Sequence, residues 1–199
     1  MQLTRAPKLV IAATLLWGAA TPKPKVYWNE EFGITVPVPK SALLCVYPDQ
    51  HDHGPVFILG TTDAKSCRDD IERSRYIDVF ASYQTEDTKR LRDFLRSECV
   101  GVAGAPCGPA PDGLHVAGLR SEAARVNRSD GWIYVIVATR SGKPDPAFDP
   151  TIPSVNYDLS LHTTPDHLED DLRVFRIVLR TIRLSPPPPV SAGRPITTH

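Results

Sequence analysis

The sequence predicts an α+β fold in which a mostly antiparallel sheet is packed by two main helices and cross-linked by disulfide bonds. Several short segments, such as Tyr76–Tyr83, have apolar residues at alternate positions, which is typical of strands that bury one face. Two other segments have apolar residues at helical spacing. The order strand, strand, helix, hairpin, strand, helix favours an α+β arrangement, and the even number of cysteines is typical of disulfides.

The N-terminal segment has the layout of an export signal. Arg5 and Lys8 precede a short apolar run, Leu9–Trp17, and small residues follow at 18–20. Charged, apolar and small-residue regions follow one another in this order in secretory signal peptides. The run is too short to cross a bilayer, which takes roughly 20 apolar residues. The sequence therefore predicts a signal peptide at 1–20, a secreted or periplasmic protein, and no transmembrane segment after cleavage.

Composition divides the remaining chain into three parts. A linker at 21–25 and a Pro-rich disordered tail at 185–199 enclose one predicted α+β domain at 26–184. Two of the 23 basic residues lie in the predicted signal, which leaves 21 basic and 23 acidic residues and a net charge of −2. This balance predicts no nucleic-acid partner, because nucleic-acid-binding domains carry a basic excess.

The early strands are predicted from alternation. In Phe32–Val38 residues 34, 36 and 38 are apolar, and the prolines at 37 and 39 favour an edge position because proline cannot donate to a strand ladder. Further predicted strands are Val26–Asn29, Pro55–Gly60, Tyr76–Tyr83 and Tyr157–Thr163.

A hairpin is predicted from Leu114–Val126 and Trp132–Arg140. The connection at 127–131 contains Asn, Asp and Gly, which tolerate the left-handed backbone of such turns. Because Trp132–Thr139 is apolar on both faces, we expect it inside a sheet that is covered on both sides.

Two helices are predicted from their caps and apolar faces. The first, Thr85–Cys99, begins with a capping Thr85 followed by two acids, which the helix dipole favours. The second begins at Thr164 and Pro165, with acids again in its first turn. Its apolar stripe consists of Leu168, Leu172, Phe175, Leu179 and Ile182.

The four cysteines allow three pairings. Neighbours in sequence close the shortest loops at the lowest entropy cost, which favours Cys45–Cys67 and Cys99–Cys107. The alternative is a four-cysteine zinc site, but the spacings lack the short cysteine pairs that such sites contain.

The densest polar cluster, at 49–54, predicts a metal site. In an extended chain His51 and His53 lie on the same side and present two imidazoles to one zinc or copper ion. The further ligand is Asp49 or a distant His115, His162 or His167. The alternative interpretation is a polar loop closed by Gly54.

Two further polar groups have a functional and a structural interpretation. His115 and His162 are expected on strands, close together on the outer face of the sheet, where they are candidates for acid–base chemistry or for structural roles. Arginines between positions 68 and 96 interleave with acids, which predicts a solvated, ion-paired surface or a partner interface.

The two ends of the domain resemble a known family. Phe32–Pro39, FGITVPVP, and Val174–Leu184, VFRIVLRTIRL, are similar to the opening strand and last helix of the PsbP/Mog1-like α/β/α sandwich proteins. The resemblance implies a sandwich fold and a binding or accessory role more often than catalysis. It assigns no functional residue to this chain.

The function predicted from the sequence is that of an exported binding or accessory domain of the cell envelope, non-enzymatic and acting through a protein partner. The sequence has no G-x-S-x-G nucleophile motif, and its glycine-rich stretch at 101–108 does not open a helix as a phosphate loop does. The alternative is a metal-binding protein or a metal-dependent hydrolase that uses His51 and His53.

Overall fold

Two antiparallel sheets and two long helices form the fold. A computed structural model of the chain describes residues 25–46, 53–61, 63, 67, 71–83, 90–141 and 155–185. The predicted signal peptide, most of the linker and most of the Pro-rich tail lie outside the described residues. No helix among the described residues is long and apolar enough to span a bilayer.

The larger sheet has six strands, all antiparallel to their neighbours. They are β3 (Ala42–Cys45), β4 (Val56–Leu59), β5 (Tyr76–Tyr83), β6 (Ser121–Asn127), β7 (Ile133–Arg140) and β8 (Val155–Thr163). Their order across the sheet is β3-β4-β5-β8-β7-β6. The two long central strands, β5 and β8, pair over their whole common length.

A second sheet has three strands. It consists of β1 (Val26–Asn29), β2 (Ile34–Pro37) and β9 (Arg183–Leu184), in the order β1-β2-β9. The hydroxyl of Tyr157 on β8 donates to the backbone oxygen of Phe32 at 2.7 Å, and this bond joins the larger sheet to the β1–β2 turn.

Each long helix covers one face of the larger sheet. The helix α1 (Leu91–Ala103) packs Phe94, Leu95 and Cys99 against β6 and β7. The helix α2 (Leu168–Thr181) belongs to the main core, which also contains the apolar face of β5 and β8 and the inner face of the three-stranded sheet. As predicted, β7 is buried on both faces, and the α+β class with two main helices is confirmed.

Some element boundaries differ from those predicted. The predicted capping residue Thr85 lies outside the described residues. The helix α1 begins at Leu91 and continues to Ala103, whereas the sequence predicted an end at Cys99. The residue that follows the helix is Gly104, whose φ is 66°. A residue with a Cβ would adopt this φ only under strain. The first hairpin strand begins at Ser121 instead of Leu114, and the strands β3 and β9 were not predicted.

Both predicted disulfides are confirmed. Cys45 pairs with Cys67, and Cys99 pairs with Cys107, each with a Cα–Cα distance of 5.5 Å. The first bond ties the edge strand β3 to the segment before β5. The second ties the C-terminal half of α1 to the loop that leads to β6.

Candidate functional site

The face of the larger sheet beneath α1 is polar at its centre. Strand register places Asp78 beside Ser160 and Phe80 beside Asp158, so the even-numbered residues of β5 and β8 share this face. The polar strip defined by these strands consists of Asp78, Ser82, Asn156, Asp158, Ser160 and His162. Apolar clusters flank it on both sides, on β6 and β7 and on β3 and β4. The strip is therefore an internal polar surface between two apolar clusters.

Burial raises the pKa values of the carboxyl groups of the strip. Asp158 is 3% exposed, and its Oδ1 has no hydrogen-bond partner among the described residues. Burial, with the nearby charges of Glu98 and Asp78, raises the pKa of Asp158 well above its usual range. Burial also raises the pKa of Asp78 to about 7 and raises that of Glu98 on α1. Near neutral pH the strip therefore carries less negative charge than its composition implies.

His162 is a structural group. Its ring lies 4.1 Å from Trp132, 4.5 Å from Tyr134 and 4.7 Å from Tyr76, and its Nδ1 donates to the backbone oxygen of Ser74 at 2.9 Å. Burial lowers the pKa of His162 to about 4, so the imidazole is neutral at physiological pH. The expected pairing with His115 is wrong, because His115 lies in an exposed loop before β6 rather than on a strand.

An arginine-lined pocket opens at one end of this face. Its volume is about 610 Å³, within the range of small-molecule sites. We call it the arginine pocket; the described residues that line it are Arg90, Leu91, Arg92, Arg120, Glu122 and Arg140. Four of these described residues are arginines and one is a glutamate, so together they carry a net positive charge.

Three elements bring these arginines together. Arg90 is the residue before α1, Arg120 precedes the first residue of β6, and Arg140 is the last residue of β7. The β6–β7 register pairs Ser121 with Thr139, so the start of β6 lies beside the end of β7. Because α1 packs across these two strands, its N-terminus completes the pocket wall.

The arginines differ in how firmly they are held. The Nε–H group of Arg140 donates to Asn156 Oδ1 at 2.7 Å, which orients the guanidinium, and burial lowers its pKa. Arg120 is 3.5 Å from Glu122, but its side chain is 85% exposed. Within the described residues, no carboxylate oxygen lies within 4.0 Å of Arg90 or Arg92.

The described residues show ion pairs for two arginines of the predicted ion-paired surface. Arg96 lies 3.9 Å from Asp93, as sequence neighbours were expected to do. Arg75 instead pairs with Asp171 on α2, at 2.8 Å and 3.0 Å to its two carboxylate oxygens. The alternation of arginines and acids along the sequence did not indicate this partner, because Asp171 is 96 residues from Arg75.

The predicted metal site is only partly within the described residues. His51 and Asp49 lie outside them. The ring of His53 stacks between Phe32 at 5.2 Å and Phe80 at 4.8 Å, and its Nδ1 is 2.7 Å from the backbone oxygen of Ala81. Among the described residues, no three His, Cys, Asp or Glu side chains are grouped as metal ligands would be. The His51/His53 site stays a prediction.

Comparisons with known proteins show the fold. Neither a protein-family model nor a curated protein sequence matches this chain. LpqN of Mycobacterium tuberculosis, described as involved in cell envelope biogenesis, matches with a TM-score of 0.50 and 11% identity over 83% of this chain and 91% of LpqN. PsbP (CyanoP) of Synechocystis sp. PCC 6803 matches with a TM-score of 0.39 and 14% identity over 84% of this chain and 95% of its own. The PsbP group named by the sequence resemblance is thus among the matching structures, and the shared fold is shown by LpqN.

Proposed function

We propose that this chain is an extracytoplasmic accessory domain of the cell envelope that holds an anionic group of a partner molecule in the arginine pocket. The observation that carries the proposal is the convergence of Arg90, Arg92, Arg120 and Arg140 on one cavity of about 610 Å³. Arginine is the side chain best suited to carboxylate and phosphate, because its planar fork donates two parallel hydrogen bonds.

The location is supported by three independent features. The sequence predicts an export signal at 1–20, and both disulfides are of the kind that persist in oxidising compartments. LpqN, which shares the fold, is described as involved in cell envelope biogenesis. The protein partner predicted from the sequence fits this proposal if the partner carries an acidic group that enters the pocket.

A thermal-shift experiment tests the proposal. An anion that binds the folded protein at about ten times its Kd raises Tm by roughly 3–6 °C. We expect pyrophosphate to stabilise the purified exported protein at constant ionic strength, and we expect R92Q/R120Q to lose this shift. Both side chains are exposed, so their replacement leaves the core intact.

The matched control is R173Q/R180Q. These two exposed arginines lie on α2, on the opposite side of the sheet, and their replacement changes the net charge by the same amount. The control should keep the full shift. No shift in the wild type, or equal losses in both double variants, would contradict the proposal.

Metal binding is a second candidate function, and the environment of His53 favours it. Its Nδ1–H donates to the Ala81 carbonyl at 2.7 Å, and metal-binding histidines commonly donate one ring N–H to a backbone carbonyl in this way. We expect one equivalent of zinc or copper after equilibration with the metal, lost in H51A. The exposed His115 provides the control variant, H115A, which should retain the metal. Absence of bound metal in the saturated wild type would exclude this candidate.

A further inference from the structure

The residues that line the arginine pocket indicate which class of anion it binds. We infer that the pocket recognises a phosphate group, as a monoester or diphosphate, in preference to a carboxylate. This inference deepens the proposed function and rests on it. It follows from the charge of the lining, the directions from which the donors come, and the backbone at the start of α1.

The charge of the lining exceeds what one carboxylate neutralises. Among the described lining residues, four arginines and Glu122 sum to a net charge of +3, and the Glu122 carboxylate lies 3.5 Å from Arg120. A phosphate monoester carries about −1.5 to −2 near pH 7, and a diphosphate carries more. A single carboxylate would balance only part of the charge of these described residues.

The donors come from two parts of the fold, the start of α1 and the adjacent paired ends of β6 and β7. Arg90 and Arg92 come from the start of α1, Arg120 from the start of β6, and Arg140 from the end of β7. A carboxylate offers two oxygens in one plane, which one guanidinium fork can satisfy. A phosphate offers at least three oxygens in a tetrahedral arrangement, so it can bond to donors on several sides of a cavity.

The start of α1 lies at the same wall. Leu91 and Arg92 line the pocket and are the first two residues of the helix, whose N–H groups have no acceptor within the helix. Arg90 makes no side-chain cap at this end. The positive end of the helix dipole therefore acts on the same cavity as the arginines.

The test compares anions of similar charge and different shape. Glycerol phosphate and malonate both carry close to two negative charges near neutral pH, but only the first is tetrahedral at its anionic group. By calorimetry at constant ionic strength, we expect glycerol phosphate and pyrophosphate to bind roughly tenfold to a hundredfold more tightly than malonate. We expect R92Q/R120Q to lose this preference and R173Q/R180Q to keep it.

A second experiment distinguishes a lipid headgroup from a free phosphate ester as the source of the phosphate group. Vesicles of phosphatidylcholine with and without phosphatidic acid test a lipid headgroup, whereas glycerol phosphate tests a free ester. Binding to either one, lost in R92Q/R120Q, supports the inference.

The two proposals fail in different ways. Malonate binding as tightly as glycerol phosphate, with both lost in R92Q/R120Q, would overturn the phosphate preference and leave anion binding standing. If no anion binds, or if the pocket variant binds all of them unchanged, both proposals are wrong. The single variant R92Q provides the same readouts if R92Q/R120Q does not fold.

Discussion

At the scale of single residues, the carboxyl groups of Asp78, Asp158 and Glu98 contribute to the pH dependence of the domain's stability. They lie on β5, on β8 and on α1, and the pKa of each is raised chiefly by burial. A carboxyl group whose pKa is higher in the folded than in the unfolded state stabilises the fold most at low pH. That stabilisation is lost as pH rises from about 4, the unfolded value, through the folded value.

Asp78→Asn should therefore stabilise the protein at alkaline pH relative to the wild type. The pKa of Asp78 in the folded protein is about 7. Because its side chain is only partly buried, we expect a smaller change in the free energy of unfolding than this pKa alone implies. We expect the advantage of the variant in free energy of unfolding to grow by about 2 kcal/mol between about pH 5 and about pH 8. Urea denaturation at the two pH values measures it.

Other titrating groups do not affect the difference in stability between the variant and the wild type. The depressed pKa of His162 makes the fold gain stability as pH rises from about 4 to its unfolded value, but this contribution is the same in both proteins. Asp158→Asn should shift stability in the same direction as Asp78→Asn. An advantage that stays constant with pH would mean that these carboxyl groups are ionised in the folded state.

At the scale of elements, local patterns predicted the strands and helices, but not what they bring together. Alternation identified β5 and the inward face of β8, because apolar and polar residues largely alternate within each strand. The polar strip requires β5 to pair with β8, about 80 residues later, and one sequence contains no signal for that pairing. The signal that could have been used is the alternation of Asn156, Asp158, Ser160 and His162 with apolar residues in β8.

The arginine pocket was missed for a related reason. The sequence grouped Arg90 and Arg92 with neighbouring acids, whereas the structure places them beside Arg120 and Arg140. That placement depends on the β6–β7 register and on the residue at which α1 begins. A local sequence pattern predicts the ends of a helix less accurately than its middle. The disulfides were predictable because loop closure depends on sequence distance alone.

The helix α2 is an element on which the fold depends. Phe175 is fully buried in the main core, and Ile177 on the same helix is 57% exposed. We expect Phe175→Ala to lower the free energy of unfolding by about 3–5 kcal/mol, because it removes buried surface and leaves a cavity. Ile177→Ala should change it by less than about 1 kcal/mol. Equal effects in chemical denaturation would show that α2 does not complete the core.

At the scale of the whole molecule, the two faces of the larger sheet have different roles. One face, with α2 and the three-stranded sheet, forms the main hydrophobic core. The other face combines α1, the polar strip and the arginine pocket, and both disulfides lie on this side, at Cys45 and Cys99. The bonds hold the edge strand β3 and the helix α1 in place around the polar surface. The main hydrophobic core and the proposed binding site thus lie on opposite faces of the larger sheet.

The most direct test of the arginine pocket is a crystal structure of the exported protein grown with tungstate, a heavy tetrahedral analogue of phosphate. Our account predicts anomalous density inside the pocket, within hydrogen-bond distance of the Arg92 and Arg140 guanidinium groups. A saturating tungstate concentration that leaves the pocket without density, or places the ion elsewhere on the protein, would contradict it.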